Sequence, residues 1–203
     1  MQQKRSYDLF PVQEGDKQKI FEYALVLKLK LAKTEYADFI RGITPIVIDL
    51  LEEILEKRCG VKLVDCCAML KSGILIWNTN ELKGKGLQDI LDREYAGKGG
   101  FKGGVVYSSH IAGLIRAICK DKKLIERVNA ITKIEGQVRN VAAHEIVSVT
   151  EEWIQKKTGK TVGEIFEIIK YLVGMAGIKA NEEAWNSYDR MNALIIQKLD
   201  LLS

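Results

Sequence analysis

Proline is nearly missing from this chain: Pro11 and Pro45 are the only two in 203 residues, so little interrupts a helical run. Histidine is equally scarce, with only His110 and His144. A general base whose ordinary pKa lies near neutrality is therefore confined to two positions. Cys59, Cys66, Cys67 and Cys119 have no C-x-x-C spacing, and the adjacent Cys66 and Cys67 suit no disulfide framework. No histidine flanks them, so a zinc site is not expected, and they read as small apolar groups in a reducing compartment. No metal and no cofactor is implied. No apolar run approaches the roughly 18 residues that cross a bilayer, and residues 1–8 lack a hydrophobic signal core. The expectation is a soluble, cytoplasmic protein without membrane contact. The net charge of +4 permits nucleic-acid binding without demanding it.

A phosphate-cradling G-x-x-x-x-G-K-[ST] loop is also missing. The glycine- and lysine-rich stretches at 83–86 and 97–104 read instead as a mobile surface loop. Their functional version is a loop that guides an RNA backbone.

What is present is helical periodicity. Ile20, Tyr23, Ala24, Leu27 and Leu31 keep a 3.6-residue period after Asp16, a candidate N-cap. A second helix from Thr34 carries Phe39, Ile43, Val47, Leu50 and Ile54 to a glycine stop at Gly60, with Pro45 expected to kink or split it. Residues 61–80 read as irregular, with one small strand pair allowed around Leu75, Ile76 and Trp77. A short helix is expected over 87–95. Ser108 or Ser109 can cap another through Lys120, which puts His110 in its first turn, at the surface or in a cap. A long helix follows from Lys122, then a short one after Thr150, then one opened by the Thr161/Glu164 capping box. The last spans Ser187 to Leu202, and Trp185 and Tyr188 read as core residues. The fold class is all-α, one helical-bundle domain over 1–203, with room for one short strand pair.

The long helix ends in Gly136-Gln137-Val138-Arg139-Asn140-Val141-Ala142-Ala143-His144-Glu145-Ile146-Val147. A cation, an amide and an imidazole within little more than a turn suit phosphate chemistry. Five residues correspond to about 500° of helix, so Arg139 and His144 point about 140° apart, whereas Asn140 and His144 share a face. Either the helix breaks between Arg139 and His144, or two copies assemble the site across a two-fold axis. A surface arginine beside a satisfied histidine is the bland alternative.

The run Arg139-Asn140-Val141-Ala142-Ala143-His144 resembles the R-x-x-x-x-H signature of HEPN ribonuclease domains. Residues 36–45, Tyr36-Ala37-Asp38-Phe39-Ile40-Arg41-Gly42-Ile43-Thr44-Pro45, and Trp185-Asn186-Ser187-Tyr188-Asp189-Arg190-Met191-Asn192 narrow the resemblance. Both are similar to the HEPN half of the accessory ribonucleases of type III CRISPR systems, in the Csm branch. The resemblance implies a homodimeric, metal-independent endoribonuclease acting on single-stranded RNA. It makes His144 the acid/base residue, Arg139 the phosphate-binding cation and Asn140 a positioning amide. Full members have an N-terminal sensor domain that binds cyclic oligoadenylate. No strand-helix alternation precedes the helices here, so an excised effector domain or a stand-alone relative is expected. The rivals are a non-catalytic dimerising helical module, a HEPN toxin-type protein, and an enzyme acting on nucleotides.

Overall fold

The computed structural model describes residues 15–144 and 148–201, without the side chains of residues 139–144. The described residues begin with α1 (Gly15–Ala32), α2 (Tyr36–Arg41) and α3 (Ile43–Cys59). Two short strands follow, β1 (Cys67–Met69) and β2 (Leu75–Trp77), then α4 (Thr79–Gly84), α5 (Gln88–Glu94) and β3 (Gly104–Val105). The second half is α6 (Ser108–Ile118), α7 (Lys122–His144), α8 (Glu151–Thr158), α9 (Val162–Met175), α10 (Glu182–Trp185) and α11 (Ser187–Asp200). The helical bundle read from the sequence is the fold found.

Helix α3 is the hub. Ile43, Ile46, Val47, Leu50, Leu51, Ile54 and Leu55 are all buried, and α1, α6, α7 and α9 pack around them. The break before it falls at Gly42, where an added Cβ would lie 2.6 Å from Leu27 Cδ2 and 3.3 Å from the Tyr23 hydroxyl. Only glycine lets the α2–α3 joint come this close to α1. Pro45 then occupies the first turn of α3, where a missing N–H costs no helical hydrogen bond. The split expected from Pro45 is present, with Gly42 as its physical cause.

The strands form a three-stranded antiparallel sheet, pairing Cys67 with Trp77 and Met69 with Leu75, then Ile76 with Val105 and Trp77 with Gly104. The third strand extends the single pair expected. It is only two residues long and belongs to the glycine-rich stretch read as a loop. That stretch is tied down: Asp92 Oδ1 accepts the Phe101 N–H at 3.0 Å, Gln88 Nε2 donates to the Phe101 carbonyl at 3.4 Å, and the Phe101 ring is buried. Gly99, Gly100, Gly103 and Gly104, with φ of 82°, 82°, 74° and 89°, make the turns that let Phe101 insert.

His110 is not a surface residue. It lies 8% exposed among Trp77, Tyr95, Phe101 and Tyr107, whose ring centroids are 6.1, 5.3, 5.0 and 5.3 Å away. The indole Nε1 of Trp77 donates to its Nδ1 at 2.9 Å, and the Tyr107 N–H donates to the same atom at 3.3 Å. Both donors demand a bare Nδ1, so the ring is neutral with its proton on Nε2. The capping half of the sequence reading therefore holds, with Tyr107 rather than a serine at the N-cap. Ser108 instead donates to Glu135 Oε2 at 2.6 Å. Asp16 is likewise inside α1 rather than capping it, paired with Lys19 at 2.7 Å.

Other helix ends match their sequence signals. Thr150 Oγ1 accepts from Trp153 N at 3.2 Å, and Thr161 and Glu164 close their reciprocal box at 3.1 and 2.7 Å. Trp185 packs edge-on against Phe21 and Phe166, as a core residue should. The four cysteines are free; burial pushes the thiols of Cys59 and Cys67 up to about 11 and about 12, so neither is a thiolate at neutral pH. Among the described residues no helix is long and apolar enough to cross a membrane.

Two stability effects follow. Thr161→Ala removes one cap and should cost about 1 kcal/mol in denaturant unfolding. His110 is held below its ordinary pKa, first by burial and then by the nearby Lys98 ammonium. The unfolded chain therefore binds the proton more readily, so stability present above about pH 6.5 should fall as the pH drops below it. His110→Gln should flatten that fall between pH 7 and 5; an unchanged profile would assign the acid sensitivity elsewhere.

Candidate active site

Helix α7 is amphipathic along its length. Leu124, Val128, Ile131, Ile134, Glu135 and Val138 are buried, and the helix packs against α2, α3, α6, α8 and α9. Lys122, Glu126, Asn129, Lys133 and Gly136 form its exposed stripe. At 100° per residue, positions 140 and 144 continue that stripe and position 139 sits at its edge.

The helix does not break before His144. Of the two arrangements open on sequence grounds, a kink that swings Arg139 toward His144 is thereby removed. On one continuous helix the two positions stay about 140° apart. Arg139, Asn140 and His144 all lie in the last two turns of α7; their side chains, and residues 145–147 altogether, lie outside the described residues. His110 belongs to none of this: it is packed in its aromatic box on α6.

Two features of α7 escaped the sequence reading. Glu135 is only 5% exposed, and it accepts the Ser108 hydroxyl. Its signal was available as an acid four residues before Arg139, the spacing at which a carboxylate and a guanidinium meet on a helix. Gly136 is exposed in mid-helix, and among the described residues an added Cβ there would meet nothing within 4 Å. A glycine in that position costs about 1 kcal/mol relative to alanine, and among the described residues no close contact calls for it.

Beside the same stripe opens a groove of about 360 Å³ lined by Glu94, Tyr95, Lys98, Ser109, Arg116, Asn129, Thr132 and Lys133. Asn129, Thr132 and Lys133 of α7 form one of its walls. A second hollow, between α1 and α3, is mainly acidic, with Asp16, Asp49, Glu52 and Glu53 outnumbering Lys19 in a lining completed by Ile20. Burial, then the neighbouring acids, raise the Asp49 and Glu52 carboxyls above their ordinary range, and the hollow is unsuited to a phosphodiester.

Residues 9–196 match the family model of the Cas_Csm6 HEPN domain. The CRISPR system endoribonuclease Csm6 of Mycobacterium tuberculosis is 24% identical over 187 residues, which cover 90% of this chain and 40% of that protein. The structure of Enterococcus italicus Csm6 bound to cyclic hexa-2'-fluoro-hexa-dAMP superposes with a TM-score of 0.70 at 12% identity, covering 92% of this chain and 42% of that one. The chain thus spans about two fifths of the length of each relative. With the family model covering nearly all of it, the chain belongs to the Csm6 HEPN-domain family.

Proposed function

We propose that this chain is an endoribonuclease of CRISPR antiviral defence that cuts single-stranded RNA without a metal ion, acting as a homodimer. The observation that carries the reading is the unbroken α7 with an R-x-x-x-x-H motif in its last turns. Positions 139 and 144 of one helix lie about 140° apart, so a site using both groups takes one from each of two copies. A two-fold axis past the end of α7 supplies that arrangement without further sequence. Gly136 leaves room for another backbone to approach the same stripe. Further support for association comes from α11, where Leu194, Ile195, Ile196 and Leu199 are 43%, 49%, 59% and 60% exposed. That much aliphatic surface on one helix suits burial against a second copy.

The chemistry needs little. The imidazole of His144 takes the proton of the RNA 2'-hydroxyl as that oxygen attacks the adjacent phosphorus. The bond from phosphorus to the 5'-oxygen breaks, and the imidazolium returns a proton to the departing oxygen. The products are a 2',3'-cyclic phosphate and a 5'-hydroxyl end. Arg139 stabilises the charge on the phosphate oxygens and Asn140 holds the phosphodiester in line. Glu135, one turn before Arg139, is spaced to hold the guanidinium in place. DNA lacks the nucleophile and is not a substrate. In this reading, cyclic oligoadenylate acts through a separate sensor domain rather than through the helical bundle.

The test is incubation of labelled single-stranded RNA with wild-type protein and His144→Ala in EDTA, followed by end-group analysis. Cyclic-phosphate ends should form with the wild type and fall about 10²- to 10⁴-fold in the variant, the usual acid/base contribution. Equal cleavage by both proteins, or cleavage that needs an added divalent ion, would contradict the proposal.

A further inference from the structure

The groove beside α7 is organised for an anion. Lys98, Arg116 and Lys133 line it against a single carboxylate, Glu94. The guanidinium of Arg116 is held in place by Glu94 on one side and by Asn129 Oδ1 at 3.2 Å on the other. The Lys98 ammonium sits 5.5 Å above the Tyr95 ring, and Tyr95 OH is 3.2 Å from Ser109 Oγ, which fixes the rim. Lys133 has no carboxylate partner among the described residues. Hydroxyl and amide groups of Tyr95, Ser109, Asn129 and Thr132 supply neutral hydrogen bonds between the cations. The floor is rigid, because the aromatic box of His110 and the insertion of Phe101 lock the turn that carries Lys98.

Position decides what the anion is. Asn129, Lys133 and Gly136 belong to the exposed stripe of α7 that continues through positions 140 and 144. At 1.5 Å per residue, Lys133 precedes Asn140 by about 10 Å and His144 by about 16 Å along one straight helix. That is the reach of a few nucleotides of extended strand. Gly136 adds no side chain of its own to the path between groove and motif, and an added Cβ there would meet nothing within 4 Å among the described residues.

We infer that this groove is a backbone subsite for single-stranded RNA. Lys98, Arg116 and Lys133 hold phosphates a few nucleotides from the bond that is cut. The inference rests on the ribonuclease reading for its substrate. It adds that the strand runs along the exposed stripe of α7 toward the glycine-rich turn, rather than away from it. Lys98 then gives that turn the RNA-guiding role, and holds it in a fixed position. The neutral groups of the lining are already engaged within the chain, Tyr95 with Ser109, Asn129 with Arg116 and Thr132 with the Val128 carbonyl, so the subsite reads backbone and length, not sequence.

The experiment is equilibrium binding of a labelled 20-nucleotide RNA to the His144→Ala chain, with and without Lys98→Gln and Lys133→Gln, across a salt series. A control carries Lys71→Gln and Lys179→Gln, two exposed lysines that do not line the groove. Removing two phosphate contacts should weaken binding on the order of tenfold and lower the slope of log affinity against log salt by about 1.4, while the control stays near the parent. Equal losses in the two double variants, or none in either, would overturn the subsite. So would a groove variant that altered only the mass of the assembly, which would make the groove a protein contact. RNA binding that depends on the groove, in a wild-type chain that cleaves nothing, would refute the ribonuclease reading and leave the groove as a binding site for the RNA backbone alone. Cleavage by a wild type whose RNA binding ignores these lysines would do the reverse.

Discussion

The rigidity of α7 is the constraint on which the rest of the molecule depends. One face of this helix is buried against five other helices as far as Val138, and the helix continues unbroken to His144. Positions 139 and 144 therefore lie on one continuous helix, about 140° apart around its axis. In the proposed reading a second copy supplies the geometry that one straight helix does not. The same rod turns an exposed stripe into a straight track, and the basic groove lies along that track.

The small sheet and its loops serve the track from below. β2 carries Trp77 into the aromatic box, and Trp77 fixes the protonation of His110 through one hydrogen bond. Phe101 closes the box from the glycine-rich turn, bringing Lys98 to the groove. His110 is thus a structural histidine whose neutral form is required by two donors. The two histidines of the chain divide the work, one in packing and one at the proposed site.

The helices were legible because their signals are local. Periodicity placed α1, α3, α7 and α9, Gly60 marked the end of α3, and the Thr161/Glu164 pair opened α9 where the box closes. What was missed depends on partners distant in sequence. Trp77 meets His110 across 33 residues, and no pattern around Ser108 announces that Glu135 will take its hydroxyl. α4 and α10 span six and four residues, too few for a period to emerge. β3 is two residues of a glycine-rich segment, visible only once β2 is there to pair with it. Of the site, the motif stands in the sequence outright. Its unbroken helix could not be read from composition, because the small residues between Arg139 and His144 suit a break as well as a helix.

Whether two copies share one site is best decided by mixing. Arg139→Ala and His144→Ala chains, each inactive alone, would be unfolded together, refolded and assayed on single-stranded RNA. Sites assembled from both copies require heterodimers to regain one intact Arg139–His144 pair, giving roughly a quarter of wild-type activity at random assortment. A mixture as inactive as its parents would contradict the shared site and place both groups within a single chain.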